Sequence, residues 1–235
     1  DDGLKKITLP THYKIALTGL GRVAGGAIEI LTKMGVKKVS PKEYLTKEFT
    51  EPVYTQMSVE HYFKKPEGES FTRQEVFNHP ERFVSDFFKY AEVSDMYIPC
   101  HYWDSRGAYI FTKEDMKRPT FKIRTIADIS CDIDGPVPST IRPSTIADPI
   151  YQYSIDTDAE TEEINDRVIT VMAVDNLPCE LPKDASEDFG NELIKNILPS
   201  LIGKDAKTII QRASITKNGD LTPNYEYLRA YLEGN

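Results

Sequence analysis

Residues 14–39 read KIALTGLGRVAGGAIEILTKMGVKKV, and this stretch decides the fold class. Residues 14–18 have the composition of a short buried strand, and a glycine turn at 19–21 ends it. Over residues 22–34, apolar side chains recur at helical spacing, and residues 36–39 are again typical of a strand. A strand, a tight glycine turn, a helix and a second strand in about 30 residues form one βαβ unit.

The rest of the chain repeats this alternation of strands and helices. Strands are predicted at 96–100, 123–129 and 168–174, an exposed strand or arm at 53–63, helices at 80–91 and 184–198, and a proline-rich loop at 135–149. The pattern predicts an α/β fold: a doubly wound, mostly parallel Rossmann sheet with helices on both faces, plus a small C-terminal helical segment.

Composition and charge exclude several classes of partner. The 235 residues include 37 acidic and 29 basic side chains, for a net charge of -8. This balance argues against nucleic acid, because no long basic run offsets phosphate repulsion. No apolar run approaches the roughly 20 residues that span a bilayer, so no membrane partner is expected.

The cysteines and the N-terminal residues indicate an intracellular protein. Cys100, Cys131 and Cys179 are far apart and lack the spacing of a disulfide framework or a zinc site, so reduced thiols and no metal are expected. The first six residues do not have the pattern of a signal peptide. A cytoplasmic location is the resulting expectation.

The glycine turn is the candidate cofactor site. In the pattern Gly19-x-Gly21-x-x-Ala24, the first glycine permits the tight turn and the second lets backbone amides approach a pyrophosphate. The small Ala24 lets the helix pack on the strand, and the helix N-terminus favours negative charge. The alternative is a glycine-rich turn without a ligand.

The residue expected to contact the ribose is Ser40. In an NAD-specific site, an acid stands about 20 residues after the first glycine. Here the count from Gly19 reaches Val39, Ser40 and Lys42, and no acid is present. Since Ser40 and Lys42 bring no negative charge against a 2′-phosphate, the sequence favours NADP over NAD. Alternatively, Ser40 only begins a turn.

Three longer motifs resemble one enzyme family. They are TGLGRVAGGA at 18–27, IADISCD at 126–132 and AVDNLPCELP at 173–182. Together they resemble the saccharopine dehydrogenase and lysine–2-oxoglutarate reductase family of the alanine dehydrogenase-like superfamily, specifically its C-terminal cofactor-binding part. Residues 79–83 and 214–221 extend the likeness towards the reductase of the bifunctional lysine-degrading enzyme.

The resemblance implies an oxidoreductase that makes or cleaves saccharopine. In this family, lysine and 2-oxoglutarate condense to an imine, which hydride from NAD(P)H reduces. The family also implies a substrate domain that precedes the cofactor domain and carries lysine and histidine acid/base groups. Residues 1–13 are accordingly interpreted as a linker from a missing substrate domain, 14–183 as the Rossmann domain, and 184–235 as a return helix and segment of the substrate domain. The chain alone is expected to be inactive.

The resemblance also implies which residues surround the cofactor. Residues implied to bind it are Gly19, Leu20, Gly21, Arg22 and Val23 at the pyrophosphate; Cys100, His101 and Tyr102 at a ribose; Ile129, Ser130 and Asp132 beside the nicotinamide; and Asp175, Asn176 and Leu177 closing the site. Asp175 is also the one catalytic candidate, in an orienting role, although a cap of a turn is the alternative. For His101, the alternatives are a proton carrier and an ordinary partly buried histidine.

Two other functions fit the same residues. One is an alanine-dehydrogenase-like enzyme that acts on a smaller amino acid. The other is a nucleotide-binding regulatory module without turnover. A homodimer is a candidate assembly for each of them.

Overall fold

The computed structural model describes residues 3–234, so Asp1 and Asp2 of the predicted linker, and Asn235, lie outside the described residues. The chain forms two compact units that divide between Asp175 and Asn176. The sequence-based prediction places this boundary after residue 183.

The first unit contains ten strands and six helices among its described residues. The strands are β1 (Lys14–Thr18), β2 (Lys37–Val39), β3 (Val53–Met57), β4 (Phe63–Lys64), β5 (Val84–Ser85), β6 (Met96–Pro99), β7 (Thr125–Ala127), β8 (Ile150–Ser154), β9 (Ala159–Thr161) and β10 (Val168–Met172). The helices are α1 (Arg22–Lys33), α2 (Pro41–Thr46), α3 (Val59–Tyr62), α4 (Arg73–Asn78), α5 (Phe88–Ala91) and α6 (Lys113–Lys117).

Eight of these strands form one sheet, in the order β2-β3-β1-β6-β7-β10-β8-β9. The first six are parallel, β8 is antiparallel to β10, and β9 is antiparallel to β8. The predicted mostly parallel α/β sheet is therefore confirmed. Strands β4 and β5 pair separately as a two-stranded antiparallel sheet.

Strand β1 lies in the middle of the sheet and is buried on both faces. Ala16 belongs to one apolar cluster, whereas Ile15 and Leu17 belong to another that includes Ala24 and Leu31 of α1. A strand covered on both faces is typical of a doubly wound parallel sheet. In such a sheet, ligands bind beyond the carboxyl ends of the strands where the strand order reverses. That point lies at the end of β1, between β3 and β6.

Of the exposed strand or arm predicted at 53–63, a strand is present at residues 53–57, but it is buried and not exposed. Residues 53–57 form β3, which pairs with β1, and Val53 and Met57 are fully buried. The alternation of polar and apolar residues is misleading because Thr55 is also buried and Gln56 bonds to the glycine turn.

The helix predicted at 80–91 is also wrong. The segment begins with a 3₁₀ turn at Pro80–Arg82, extends through β5 and ends in the single turn of α5. Strand pairing between Ser85 and Phe63 explains the interruption, because residues in an extended pair cannot remain helical.

The far edge of the sheet contains an unpredicted hairpin. Strands β8 and β9 pair through residues 150–154 and 159–161. The loop at 135–149 contains no helix, in agreement with the sequence, and Ser144 pairs with Val174 in an isolated bridge.

The second unit is mostly helical. It contains α7 (Leu177–Glu180), α8 (Pro182–Glu192), a π-helix at Leu193–Ile197, α9 (Leu198–Ile202), α10 (Ile209–Ala213), the hairpin β11 (Thr216–Lys217) and β12 (Asp220–Leu221), a 3₁₀ segment at Pro223–Leu228 and α11 (Arg229–Leu232). The predicted long helix is present from residue 182, and a π turn joins α8 to α9. Across residues 3–234, no helix combines the length and apolarity that a bilayer crossing requires.

Candidate nucleotide-binding site

The glycine turn is fixed between the two strands that flank β1. The Gly19 amide donates to the Met57 carbonyl at 2.9 Å, and Gln56 Nε2 donates to the Gly19 carbonyl at 3.0 Å. Gly19 has a φ of 106°, a backbone conformation that residues with a Cβ rarely adopt. A Cβ at this position would lie 2.5 Å from the carbonyl oxygen of Cys100. Gly19 is therefore required for the close approach of the turn to the end of β6.

Gly21 has a different role at the start of α1. It is the N-cap, no side chain caps the helix, and its first turn holds no acidic residue. The first amides of a helix have no acceptor within it, and the helix dipole places partial positive charge there. A Cβ on Gly21 would meet nothing within 4 Å, so the space in front of these amides is open. This arrangement suits a phosphate group.

A cavity of about 350 Å³ opens at this turn. Its lining residues from the glycine turn and β6 are the predicted Gly19, Leu20, Gly21, Cys100, His101 and Tyr102; its other lining residues are Ser58, Val59, Tyr62, Arg73 and Phe77. The sequence pattern does not predict the second group, because it indicates an exposed strand or arm at 53–63. The signal that identifies Ser58 is a polar residue directly after a buried strand.

His101 is the most deeply buried polar side chain of the cavity lining and is 8% exposed. Its Nδ1 lies 2.8 Å from Thr18 Oγ1, and its ring centroid lies 5.6 Å from that of Tyr62. Its Nε2 is buried and has no hydrogen-bond partner among residues 3–234. Burial lowers the pKa of His101 to about 4, so the imidazole is neutral near pH 7.

Helices α3 and α4, which follow β3 in the chain, contribute the charged groups. Ser58 Oγ donates to a carboxylate oxygen of Glu60, and Arg73 Nε lies 3.5 Å from the other oxygen. Arg73 and Glu60 are both partly exposed, so their ion pair is weak and can exchange partners. The cavity wall therefore presents one hydroxyl and one guanidinium.

Ser40 lies further from this cavity than the sequence pattern suggests. The count from Gly19 assumes that the strand after α1 lies beside β1, but β3 takes that place and β2 is the edge strand. The Ser40 hydroxyl instead forms a capping box with Glu43 at the start of α2. The predicted ribose contact of Ser40 has no support in this arrangement, whereas the alternative of a turn-forming residue fits it.

The loop after β7 is organised by a buried carboxylate. Asp128 accepts hydrogen bonds from Ser130 Oγ and Thr140 Oγ1, both at 2.6 Å, and from the Cys131 amide at 3.2 Å. Burial raises the pKa of Asp128, although these donors oppose the effect. Ile129 and Ser130 are half-buried, Asp132 is exposed, and none of the three lines the cavity.

The remaining predicted residues also lie outside the cavity lining. Arg22 and Val23 are exposed on the first turn of α1. Asp175 is exposed at the end of the first unit, and Asn176 and Leu177 begin the second. Their contacts with a cofactor remain predictions.

The thiol at the cavity wall is not a nucleophile. Burial, reinforced by the charge of Asp128, raises the pKa of Cys100 to about 12. The thiolate is the reactive form of cysteine, so Cys100 acts as a small apolar residue. With backbone amides, a neutral imidazole, a hydroxyl and a guanidinium, the cavity is suited to binding phosphates and hydroxyls.

Comparison with known proteins gives relatives in lysine metabolism. An alpha-aminoadipic semialdehyde synthase of Arabidopsis thaliana is 28% identical over 245 residues, covering 93% of this chain and 23% of that protein. A saccharopine dehydrogenase [NAD(+), L-lysine-forming] of Candida glabrata is 30% identical over 118 residues, covering 48% of this chain and 30% of that protein. The chain thus spans less than a third of the length of these curated relatives. No protein-family model matches.

A solved L-alanine dehydrogenase superposes with a TM-score of 0.44 and 13% identity, covering 94% of this chain and 54% of that one. The names of these sequence relatives agree with the family that the motifs at 18–27, 126–132 and 173–182 resemble. The chain is therefore similar in sequence to members of the saccharopine dehydrogenase and lysine–2-oxoglutarate reductase family.

Proposed function

We propose that this chain binds a nicotinamide dinucleotide at the end of β1, with NADP preferred over NAD. We further propose that it is the cofactor-binding portion of an oxidoreductase that makes or cleaves saccharopine. The overall reaction joins lysine, 2-oxoglutarate, NAD(P)H and a proton, and yields saccharopine, NAD(P)⁺ and water.

The observation that carries the proposal is the open space at Gly21. Gly21, the N-cap of α1, lines a cavity that His101 and Arg73 also line. A diphosphate in this space would accept hydrogen bonds from the amides and gain from the helix dipole. The unsatisfied Nε2 of His101 is a second sign of a ligand, because buried polar groups normally have a partner.

When bound, the dinucleotide supplies or accepts the hydride of the reaction. The residues of this chain bind and orient it. Gly19 lets the turn approach the end of β6, and Gly21 keeps the phosphate position free of a side chain. Val59 and Phe77 provide apolar cavity wall for a base or ribose.

The proposed preference for NADP rests on Ser58, directly after β3, and on Arg73, at the start of α4. Ser58 and Arg73 can bond a 2′-phosphate, and charge-assisted bonds of a guanidinium to phosphate are strong. The alternative is NAD, with Glu60 accepting from the ribose hydroxyls, and a relative carries NAD(+) in its name. The cavity wall favours NADP because Ser58 and Arg73 line it and Glu60 does not.

Turnover would also require acid/base groups beyond this cavity. A neutral His101 with a pKa of about 4 and a protonated Cys100 are poor proton carriers near pH 7. We therefore propose that the chain alone does not interconvert lysine and saccharopine. A nucleotide-binding module without turnover is the second candidate, which the same two residues favour.

Titration of the purified chain with NADPH, NADH and ADP-ribose tests the function. We expect saturable binding of all three, with NADPH tightest, and loss of binding in Gly21→Val. A folded wild-type chain that binds none of them would overturn the proposal. Turnover of lysine with 2-oxoglutarate by the chain alone would overturn the proposed need for further groups.

A further inference from the structure

Three buried side chains form a hydrogen-bonded chain behind the cavity. Thr18 is the last residue of β1, Tyr97 lies in β6, and His101 follows β6. Thr18 Oγ1 is 2.9 Å from the Tyr97 hydroxyl and 2.8 Å from His101 Nδ1. We call this the Tyr97–Thr18–His101 chain. It has one free polar end, at His101 Nε2.

The protons that Tyr97, Thr18 and His101 can donate determine which group is the donor in each of these hydrogen bonds. The fully buried Tyr97 hydroxyl has Thr18 as its sole partner within residues 3–234, so its proton has Thr18 Oγ1 as its acceptor. The Thr18 hydroxyl then donates to His101 Nδ1, which must be unprotonated. This order leaves one group unsatisfied, namely Nε2–H.

The opposite order leaves two groups unsatisfied. If His101 Nδ1 carried the proton and donated to Thr18, either the Tyr97 proton or the Thr18 proton would lack an acceptor among these three groups, because the Thr18 hydroxyl has one proton and two lone pairs. In both cases His101 Nε2 would also be a buried lone pair without a donor. Since each unsatisfied buried group carries a desolvation penalty, the first order is favoured.

The residue that carries this free end lines the candidate nucleotide site. His101 lines the same cavity as Gly19 and Gly21, and the ring of Tyr62 packs against the imidazole. A donor at this position requires an acceptor oxygen. The groups of a dinucleotide that suit a glycine turn are its diphosphate and adjoining ribose oxygens.

We propose that His101, held as the neutral Nε2–H tautomer by Thr18 and Tyr97, donates a hydrogen bond to a ribose or diphosphate oxygen of the bound nucleotide. This inference rests on the proposed function for its ligand. Thr18 and Tyr97 are positioning residues, since they act through His101. The tautomer itself is a property of the protein without ligand.

Nitrogen-15 NMR of the histidine side chains tests the tautomer in the wild-type chain. We expect His101 to show a protonated Nε2 and an unprotonated Nδ1 near pH 7, with the assignment made by comparison with His101→Phe. In Thr18→Val, which removes the hydroxyl, the two tautomers should mix. Thr18→Ser, which keeps the hydroxyl, should restore the wild-type signal. A wild-type protein with a protonated Nδ1 would overturn the inference.

Titration with ADP-ribose tests the contact. We expect His101→Phe and Thr18→Val to weaken binding by about tenfold, and Thr18→Ser by less than about twofold. Titrations with ADP and inorganic pyrophosphate identify the oxygen that accepts the hydrogen bond. If His101→Phe also weakens the binding of pyrophosphate, the acceptor is a diphosphate oxygen. If His101→Phe weakens only the binding of ADP-ribose, the acceptor is on the ribose that ADP lacks.

Two outcomes separate this inference from the proposed function. If the wild-type chain binds neither ADP-ribose nor NADPH, the proposed function fails, although NMR still reports the tautomer. If the wild-type chain binds both and a folded His101→Phe binds them equally well, the contact fails and the proposed function stands.

Discussion

Thr18 Oγ1 and His101 Nδ1 form a buried hydrogen bond of 2.8 Å that joins the end of β1 to the segment after β6. It holds the imidazole in the interior, where burial lowers its pKa from 6.5 to about 4. A histidine that stays neutral while the unfolded chain protonates links stability to pH.

The first prediction concerns this linkage. Below pH 6.5 the unfolded chain takes up a proton at His101, whereas the folded chain does so only near pH 4. The stabilisation is therefore complete above pH 6.5 and lost as the pH falls towards 4. We expect the difference in unfolding free energy between the wild type and His101→Gln to change by up to roughly 3 kcal/mol over this range. Urea unfolding at several pH values measures it. A constant difference would contradict the buried neutral state.

The second prediction compares the two glycines of the turn. Gly19→Ala should reduce the unfolding free energy by roughly 2–4 kcal/mol, because of its positive φ and the collision with the Cys100 carbonyl. Gly21→Val should change stability by less than about 1.5 kcal/mol, since its side chain enters open space. Nucleotide binding should nevertheless be lost in Gly21→Val. Urea unfolding and NADPH titration measure both; a Gly21→Val variant that binds NADPH as wild type does would refute the assigned phosphate position.

The third prediction concerns coenzyme preference. Arg73→Met should weaken NADPH binding by about tenfold or more and leave NADH binding within about twofold, because only NADPH carries the 2′-phosphate. Ser58→Ala should act in the same direction with a smaller effect. Titration with both coenzymes measures the ratio.

Ser40→Asp is the matched control for that experiment. Aspartate is a good N-cap, so α2 should persist. Because Ser40 follows the edge strand β2, its new charge should leave the NADPH to NADH ratio unchanged. If the NADPH to NADH ratio shifts in Ser40→Asp but not in Arg73→Met, the ribose binds at the end of β2 and not at Arg73.

The fourth prediction concerns Asp128. Asp128→Ala removes the acceptor of three hydrogen bonds and should reduce the unfolding free energy by roughly 2–4 kcal/mol. Asp128→Asn keeps one oxygen for Ser130 and the Cys131 amide, and Thr140 can accept from the new amide, so its loss should be smaller. Thermal unfolding of the two variants measures the difference. Equal losses would show that the carboxylate charge, and not the hydrogen bonding, matters.

The first βαβ unit could be predicted because its signals are local. Glycine at 19 and 21 and the helical spacing over 22–34 depend on neighbours in the sequence, and the structure places β1 and α1 there. The same holds for β6, β7 and β10, each a run of apolar residues.

The order of the strands could not be predicted from such signals. Whether β2 or β3 lies beside β1 depends on long-range pairing, here Thr18 with Met57. This explains why the residues of the glycine turn and of the end of β6 were predicted in the cavity, but Ser58 and Arg73 were not. The break in the predicted helix at 80–91 has the same cause, since β5 needs β4 as its partner.

In a short Rossmann unit, the strand after the first helix both pairs with β1 and ends at the ribose. Here β2 follows the first helix but lies at the edge of the sheet, and β3 pairs with β1. The segment from β2 through α2 lies at the edge of the sheet, and the chain next enters the sheet, beside β1, at Val53. Evolution or design can therefore lengthen, shorten or replace this segment while the end of β3, at the candidate nucleotide-binding site, keeps its chemistry. Loop insertions after Thr46 should be tolerated, whereas equal insertions after Met57 should not.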